Sequence, residues 1–497
     1  APSGRRVAAQ ILSREGDRAR ILFAADVKAA GYAVYDVRPA SGVAKSSALK
    51  ASERTLENRI YRVELDANGD IRSIRDKRAG RELVAEGKAF RMAVFEGNPS
   101  NRYPAWEIMK ETMDKPGRPI DGDVRISIAE QGPVRATLKV ERSYGPSKFV
   151  QYVSLTDGGD DDRIDVRTPV DWSSRDVLLK AEFPCAVANA KAAYDLGLGF
   201  IERGNNTETA YEVPAQKWVD LTDADGSYGV TILNDCKYGW DKPDDNTLRL
   251  TLLHTPETDK DYAYQNRQDF GHHCFTYSLV GHAGGLDKAV TIEKAEILNQ
   301  KLKAFRTDKH RGTLGKEFSF VSSNNRNVII KALKKAENSD EYVVRVYEIG
   351  GEKVQDAVLS FAGEIASAYE ADGTEKSIGS AEFSGNGLSV SIKPYSIKTF
   401  KVRLKSSGED AYQLQYASLP LSYNCKCSSF NEFRGEADFE SGYSFAAELL
   451  PESLTVNGIP FQLGEKDAAN GMTCNGDTIV LPEGKKYNKL YFLAAAT

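Results

Sequence analysis

The chain has 497 residues, 41% hydrophobic and 28% charged, a balance that excludes a disordered polymer and, at about one domain per 150 residues, calls for roughly three packed domains. Lys and Arg number 66 against 71 Asp and Glu, a formal charge of -5, which excludes the strong sequence-independent pull on phosphate backbones of a nucleic-acid binder. No apolar run approaches the roughly 18 to 20 residues of a membrane-crossing helix, so neither nucleic acid nor membrane is an expected partner.

In chain order, the opening Ala1-Pro2-Ser3-Gly4-Arg5-Arg6 has no apolar segment behind it of the secretory-signal kind. Tyr61, Val63 and Leu65 alternate with Arg62, Glu64 and Asp66 before Asn68-Gly69 and Ile71. That pattern predicts a hairpin with one wet face and a tight turn of positive φ angles at Asn-Gly. Val124, Ile126 and Ile128, then Gly132-Pro133, then Val134, Ala136, Leu138 and Val140 predict a second hairpin. Val328 to Lys335 fits a buried strand or an amphipathic turn equally well by period alone. Leu388, Val390 and Ile392, then Pro394, then Phe400, Val402 and Leu404 alternate again. With dense turn chemistry, the fold class expected is all-β sandwiches. Alternation lapses at Ala40 to Ala51, Leu286 to Lys316 and Lys405 to Tyr412, and these stretches read as linkers.

Catalytic signatures are missing: there is no His-Glu-x-x-His, Walker loop, Gly-x-Gly-x-x-Gly or Gly-x-Ser-x-Gly. Four of the five histidines (His254, His272, His273, His282 and His310) fall where one loop system could gather them. Adjacent His272 and His273 on a strand face opposite ways, however, and cannot share one metal. Cys425-Lys-Cys427 lacks the second pair a zinc shell requires, and all six cysteines read as buried free thiols. The acidic runs Asp160-Asp161-Asp162 and Asp241 to Asp245 read as solvated turns, with a calcium loop as the lesser alternative. The segment from Tyr194 to Tyr277 sets Trp218, Trp240, Tyr228, Tyr238, Tyr262 and Tyr264 among planar polar residues. Such a mixture suits a sugar, whose C-H face stacks on a ring while amides and carboxylates read its hydroxyls, and suits a wide sandwich core equally well.

Four ordered stretches carry a resemblance. Leu56-Glu57-Asn58-Arg59-Ile60-Tyr61-Arg62-Val63, followed by Asn68-Gly69 and Ser73-Ile74-Arg75-Asp76, comes first. Val170-Asp171-Trp172 with Leu178-Leu179-Lys180 is second. Glu212-Val213-Pro214-Ala215-Gln216-Lys217-Trp218-Val219-Asp220-Leu221, running on to Tyr228-Gly229-Val230, Leu233-Asn234-Asp235 and Lys237-Tyr238-Gly239, is third. The fourth is Asp269, Gly271, His273, Phe275, Tyr277, Leu279 and His282. Together they resemble the C-terminal, non-barrel half of glycoside hydrolase family 38 α-mannosidases. Arg345-Val346-Tyr347-Glu348 and Pro394-Tyr395-Ser396-Ile397-Lys398-Thr399-Phe400 resemble the family's small terminal sandwich, which assigns Val328 to Leu333 to a strand. The tail, with Ala447-Glu448-Leu449-Leu450-Pro451, Asn457-Gly458-Ile459 and Tyr487-Asn488-Lys489-Leu490-Tyr491, is similar to a jelly-roll-like module appended in some bacterial members, broken off at Thr497.

The resemblance implies a large β-supersandwich, a small immunoglobulin-like sandwich and a partial jelly-roll-like module. The expected divisions are a leading β-segment 1–48, a large sandwich 49–290, a small sandwich 291–407 and the last module 408–497. It implies a retaining, exo-acting α-mannosidase whose zinc ion and Asp nucleophile belong to an N-terminal catalytic barrel outside this chain. The chain itself is then expected to be inactive, with no catalytic residue and no metal ligand of its own. Its partners are that barrel and an oligosaccharide or glycan substrate. Assembly as a homo-oligomer is compatible with this, and a periplasmic or extracellular setting is favoured over the cytoplasm. If any residues here meet substrate, those expected are Glu212, Gln216, Trp218, Asp269 and His273. The rivals are a stand-alone carbohydrate-binding or adhesion protein, and the β-sandwich of a lyase or sugar phosphorylase.

Overall fold

In the computed structural model, strands take up 46% of the residues and helix 6%, so the all-β class holds. The structure describes residues 1–38, 48–100, 103–157, 162–258, 260–405, 416–439, 442–482, 487 and 489–495. Asp160, Asp161, Asn488 and the linker residues 40–47 and 406–412 lie outside these. Two compact units are defined, Ala1–Lys405 and Ser406–Thr497.

The first unit is dominated by two antiparallel sheets. One has nine strands, in spatial order Gly122–Gln131, Arg135–Tyr144, Ser147–Thr156, Ile164–Trp172, Gly271–Ala283, Tyr228–Asn234, Trp218–Thr222, Ala192–Asp195 and Phe200–Arg203. The other has six, in order Arg118–Pro119, Arg91–Glu96, Val177–Pro184, Thr247–Thr255, Gly239–Asp244 and Val213–Pro214. Period-two alternation decides which residues fill the space between them. Met92, Val94, Leu179, Ala181 and Phe183 of the smaller sheet meet Leu138, Phe149, Val166, Phe275 and Tyr277 of the larger in one continuous core. The five-stranded meander from Lys50–Ala51 to Arg81–Glu82 adds Leu56, Tyr61, Val63 and Ile74 to that core.

The first expected hairpin forms, with Leu65 opposite Ile71, but its turn differs. Gly69 alone has positive φ, at 79°. The loop is held instead by the Asp66 carboxylate, which accepts from the amides of Asn68 and Asp70 at 2.9 Å each, an Asx-type arrangement that replaces the two-residue turn. The two-residue turn occurs later, at Asn457-Gly458, with φ 50° and 78° between the paired Val456 and Ile459.

The stretch from Leu286 to Lys316, read as a linker, carries a helix at Lys288–Asn299. Asp287 caps it, its carboxylate accepting from Val290 N at 3.1 Å. One side of the helix places Ala295 and Leu298 on Trp218, Leu233 and Val280 of the nine-stranded sheet. Another places Ala289 against Tyr347 and Ile349 of the small sandwich. The Glu296 carboxylate is shared by Lys217 at 2.8 Å and Lys331 at 3.0 Å, so the helix is a wedge rather than a tether.

The small sandwich pairs a four-stranded sheet with a five-stranded one over Val344, Val346, Leu359, Val390, Phe400 and Val402. Val328–Lys335 is a strand. Gly387–Ile392 and Ile397–Leu404 alternate alike in sequence yet lie in opposite sheets, because the chain crosses over at Pro394 and at Tyr395, whose φ is 50°. The second unit holds a parallel pair, Ser428–Ser429 with Phe445–Ala446, and the hairpin Ser453–Val456 with Ile459–Gln462.

Candidate functional site

At one end of the large sandwich four connections come together. They follow Arg91–Glu96 (described residues 97–100 and 103–117), Arg135–Tyr144 (145–146), Ile164–Trp172 (173–176) and Thr247–Thr255 (described residues 256–258 and 260–270). Alternation delivers the strands to this end, and side-chain bonds then fix the loops. Ser147 and Ser174 share a hydrogen bond of 2.7 Å, and Ser173 N donates to Ser147 Oγ at 2.8 Å. Trp172 Nε1 donates to Thr255 Oγ1 at 2.8 Å, and Thr255 Oγ1 donates to the Gln268 carbonyl at 2.6 Å. Asn98 Oδ1 accepts from Met109 N at 2.9 Å, and Lys115 Nζ donates to the carbonyls of Glu96 and Gly97 at 2.8 and 2.9 Å.

Between these loops lies an open cleft of about 690 Å³ whose lining includes Glu96, Tyr144, Ser173, Arg175, Asp176 and Phe270. Its charges are organised. Tyr144 donates its hydroxyl to Glu96, whose other oxygen accepts from Arg118 at 2.6 Å. The Tyr144 bond and the Arg118 charge hold the Glu96 carboxyl below its ordinary value, while burial and the Glu96 charge push the Tyr144 hydroxyl up to about 12. Arg175 sits 5.7 Å from the Phe270 ring centre. Asp176 and Asp269 both take left-handed backbone, at φ 51° and 59°, and both bear electrostatically on His254, whose pKa burial nevertheless lowers. Trp106, 83% exposed, stacks on Tyr103 at 5.0 Å in the first of these loops, and exposed Tyr262 and Tyr264 stand in the last. Carboxylates, a phenol, hydroxyls and open ring faces on a rigid base are what a polyhydroxylated ligand requires.

The residues expected from sequence are distributed over three places. Asp269 and His273 are together at the loop end, with His273 Nε2 2.5 Å from the Asp269 carbonyl oxygen. His272 faces the other way, onto Asp171 at 2.8 Å. Glu212 belongs to an ion cluster on the outer side of the six-stranded sheet. There Lys180 Nζ donates to Glu212 Oε2 at 2.6 Å and to Asp241 Oδ1 at 2.7 Å, and Arg249 Nη2 lies 2.5 Å from Asp241 Oδ2. Trp218, 1% exposed, is packed beneath the helix, and Gln216 beside it accepts from Asn234 Nδ2 through its carbonyl at 2.9 Å.

Three further expectations are corrected. Asp241 is 1% exposed and held between two cations, and Asp162 is buried against Arg78 and Lys294, so neither is a solvated turn residue. The six cysteines are free, but of them only Cys185 is buried, and Cys236, Cys274 and Cys474 are exposed. The histidines do not gather either, since His282 lies at the far end of the 13-residue strand from His272 and His273, bonded to Asp220 at 2.9 Å. Among the described residues no three His, Cys, Asp or Glu side chains converge on a point where a metal ion would sit. Glu96, Tyr144, Asp176 and Phe270 went unread in the sequence. Their only local signals were the Gly145-Pro146 turn and the Tyr103-Pro104-Ala105-Trp106 run.

Two solved structures share this architecture. A protein of glycosyl hydrolase family 38 from Enterococcus faecalis has a TM-score of 0.63 at 17% identity, covering 81% of this chain and 52% of its own. An alpha-mannosidase from Enterococcus faecalis V583 has 0.63 at 16%, covering 81% and 50%. The fold is thus that of the β-domains of a glycoside hydrolase. Residues 56–262 match the glycosyl hydrolases family 38 C-terminal domain, and residues 327–400 match that family's C-terminal beta sandwich domain. The chain belongs to glycoside hydrolase family 38, as its C-terminal β-domains. Residues 415–497 match the AziU2-like beta-sandwich domain. Among curated relatives, Alpha-mannosidase G of Dictyostelium discoideum is 28% identical over 386 residues, covering 73% of this chain and 33% of that protein. Alpha-mannosidase 2C1 of Mus musculus is 29% identical over 364 residues, covering 71% and 34%. The chain spans about a third of the length of these relatives. No helix among the described residues is long and apolar enough to cross a membrane.

Proposed function

We propose that this chain is the non-catalytic C-terminal portion of an α-mannosidase that removes terminal α-mannosides, steadying a catalytic barrel and lending loops to the sugar site. The observation that carries the reading is the ordered pair of family matches, 56–262 then 327–400, together with relatives named as α-mannosidases. The zinc ion and nucleophile of the reaction are placed in the barrel, and the barrel and its glycan substrate are the partners. The loop-end cleft is the part of this chain assigned to the sugar, because it gathers Glu96, Asp176 and Tyr144 with the Phe270 ring, while exposed Trp106, Tyr262 and Tyr264 stand in loops of the same end.

The test is hydrolysis of an aryl α-mannoside by the purified 497-residue chain, with and without added zinc, beside a protein in which it is joined to a family 38 barrel. The joined protein is expected to turn over and the chain alone to be inert. Turnover by the chain alone, lost on chelation or on mutation of its own acids, would end the proposal.

A further inference from the structure

The second compact unit carries a feature that the glycosidase reading leaves unused. The sulfurs of Cys425 and Cys427 lie 3.2 Å apart. Residues i and i+2 of an extended segment share a face, and Lys426 between them is drawn away to Glu436 at 3.1 Å and Asp467 at 2.9 Å. The tripeptide is pinned on both edges. Cys425 N donates to Gly471 O at 3.1 Å, and the amides of Asn470 and Gly471 return bonds of 2.9 and 3.0 Å to Cys425 O. Cys427 N donates to Asn470 Oδ1 at 2.8 Å, and its carbonyl accepts from Phe445 N at 2.9 Å. Gly471 covers the pair, and any Cβ there would collide with the Cys427 sulfur. A side chain at position 471 would therefore run into the two sulfurs.

We propose that Cys425 and Cys427 form a reversible dithiol–disulfide site, closed by a small-molecule disulfide and reopened by a dithiol reductant. From 3.2 Å, bond formation needs roughly 1.1 Å of further approach to reach a disulfide length of about 2.05 Å. A zinc site is the poorer fit, because two thiolates leave half of a tetrahedral shell unfilled. Burial, and then the neighbouring Cys425, push the Cys427 thiol up to about 11, so the step is written with Cys427 as the resolving thiol and Cys425 as the attacking one. Its thiolate displaces one thiolate from the reagent disulfide and forms a mixed disulfide. Cys427 then gives its proton to the released thiolate and attacks the Cys425 sulfur, expelling the second thiolate. Two protein thiols and one reagent disulfide become one protein disulfide and two reagent thiols, with two electrons passing to the reagent. The ring closes over a single intervening residue and removes little unfolded-chain entropy, so the state of the pair follows the surrounding thiol pool rather than folding.

The experiment equilibrates the full chain in glutathione buffers from fully reduced to fully oxidised, traps free thiols with iodoacetamide, and digests with trypsin. Cleavage after Lys426 separates the two cysteines, so their peptides stay joined only when the bond has formed. We expect the joined fraction to rise at least tenfold across the series, to revert with dithiothreitol, and to be unchanged in C474S. C425S and C427S should yield only single glutathione adducts or alkylated thiols. The proposal is overturned if the wild-type peptides remain separately alkylated in oxidised glutathione, or if either cysteine pairs with Cys474 instead.

Discussion

Asp241 lies between Lys180 and Arg249 with 1% exposure, and its value comes from what its removal would strand. Burial opposes its charge, but the two cations outweigh burial and hold its carboxyl low. Asp241→Asn leaves buried Arg249 without a counter-ion and Lys180 with Glu212 alone, for which a loss of about 3–5 kcal/mol is expected in urea unfolding. His282 behaves differently. Burial would lower its pKa, yet the Asp220 carboxylate 2.9 Å away raises it above the ordinary 6.5. A raised folded-state value means that the imidazolium contributes its full stabilisation below about pH 6.5 and loses it as pH climbs through the folded pKa. The stability difference between wild type and His282→Asn should therefore be larger at pH 6 than at pH 9, read from urea midpoints. A difference that stays constant or grows with pH would contradict the assignment.

Among the elements, the helix Lys288–Asn299 decides how the first unit holds together. It is short and weakly patterned, so its stability comes from what it packs on rather than from propensity. Leu298 is 4% exposed against Trp218 and Leu233. Leu298→Ala should cost about 2–5 kcal/mol as a cavity that the helix cannot collapse into, and thermal unfolding is expected to show the small sandwich uncoupling from the large one. The hairpins teach a related point. Asn68-Gly69 and Asn457-Gly458 are identical dipeptides with different turns, because the Asp66 carboxylate takes over the amides of the first and no such side chain intervenes in the pairing of Val456 with Ile459.

For the whole molecule, the loop end brings residues from distant parts of the chain around one opening, the cleft to which the proposed function assigns the sugar. In the chain joined to a barrel, Tyr144→Phe and Asp176→Asn are each expected to lower kcat/KM for an aryl α-mannoside about tenfold, equivalent to about 1.4 kcal/mol of transition-state stabilisation. Asn tolerates the left-handed backbone that Asp176 adopts, so melting should move little. Unchanged kinetics in both variants would leave the cleft without a role in the reaction.

Local pattern determined the strands themselves. Alternation at Tyr61–Leu65, Arg135–Tyr144 and Ile397–Leu404 is a property of a pleated backbone with one apolar face, and it can be read from a few neighbours. The ordered motifs from Leu56 to His282 likewise pointed to the family from residues alone. Partnership was decided only in three dimensions. No local rule separates Gly387–Ile392 from Ile397–Leu404 into opposite sheets, buries Trp218 under a helix, or brings Glu96, Tyr144, Asp176 and Phe270 to one cleft. Strand order and loop closure join residues many tens of positions apart, and the energy that selects them comes from the shared core, which no short window of sequence contains.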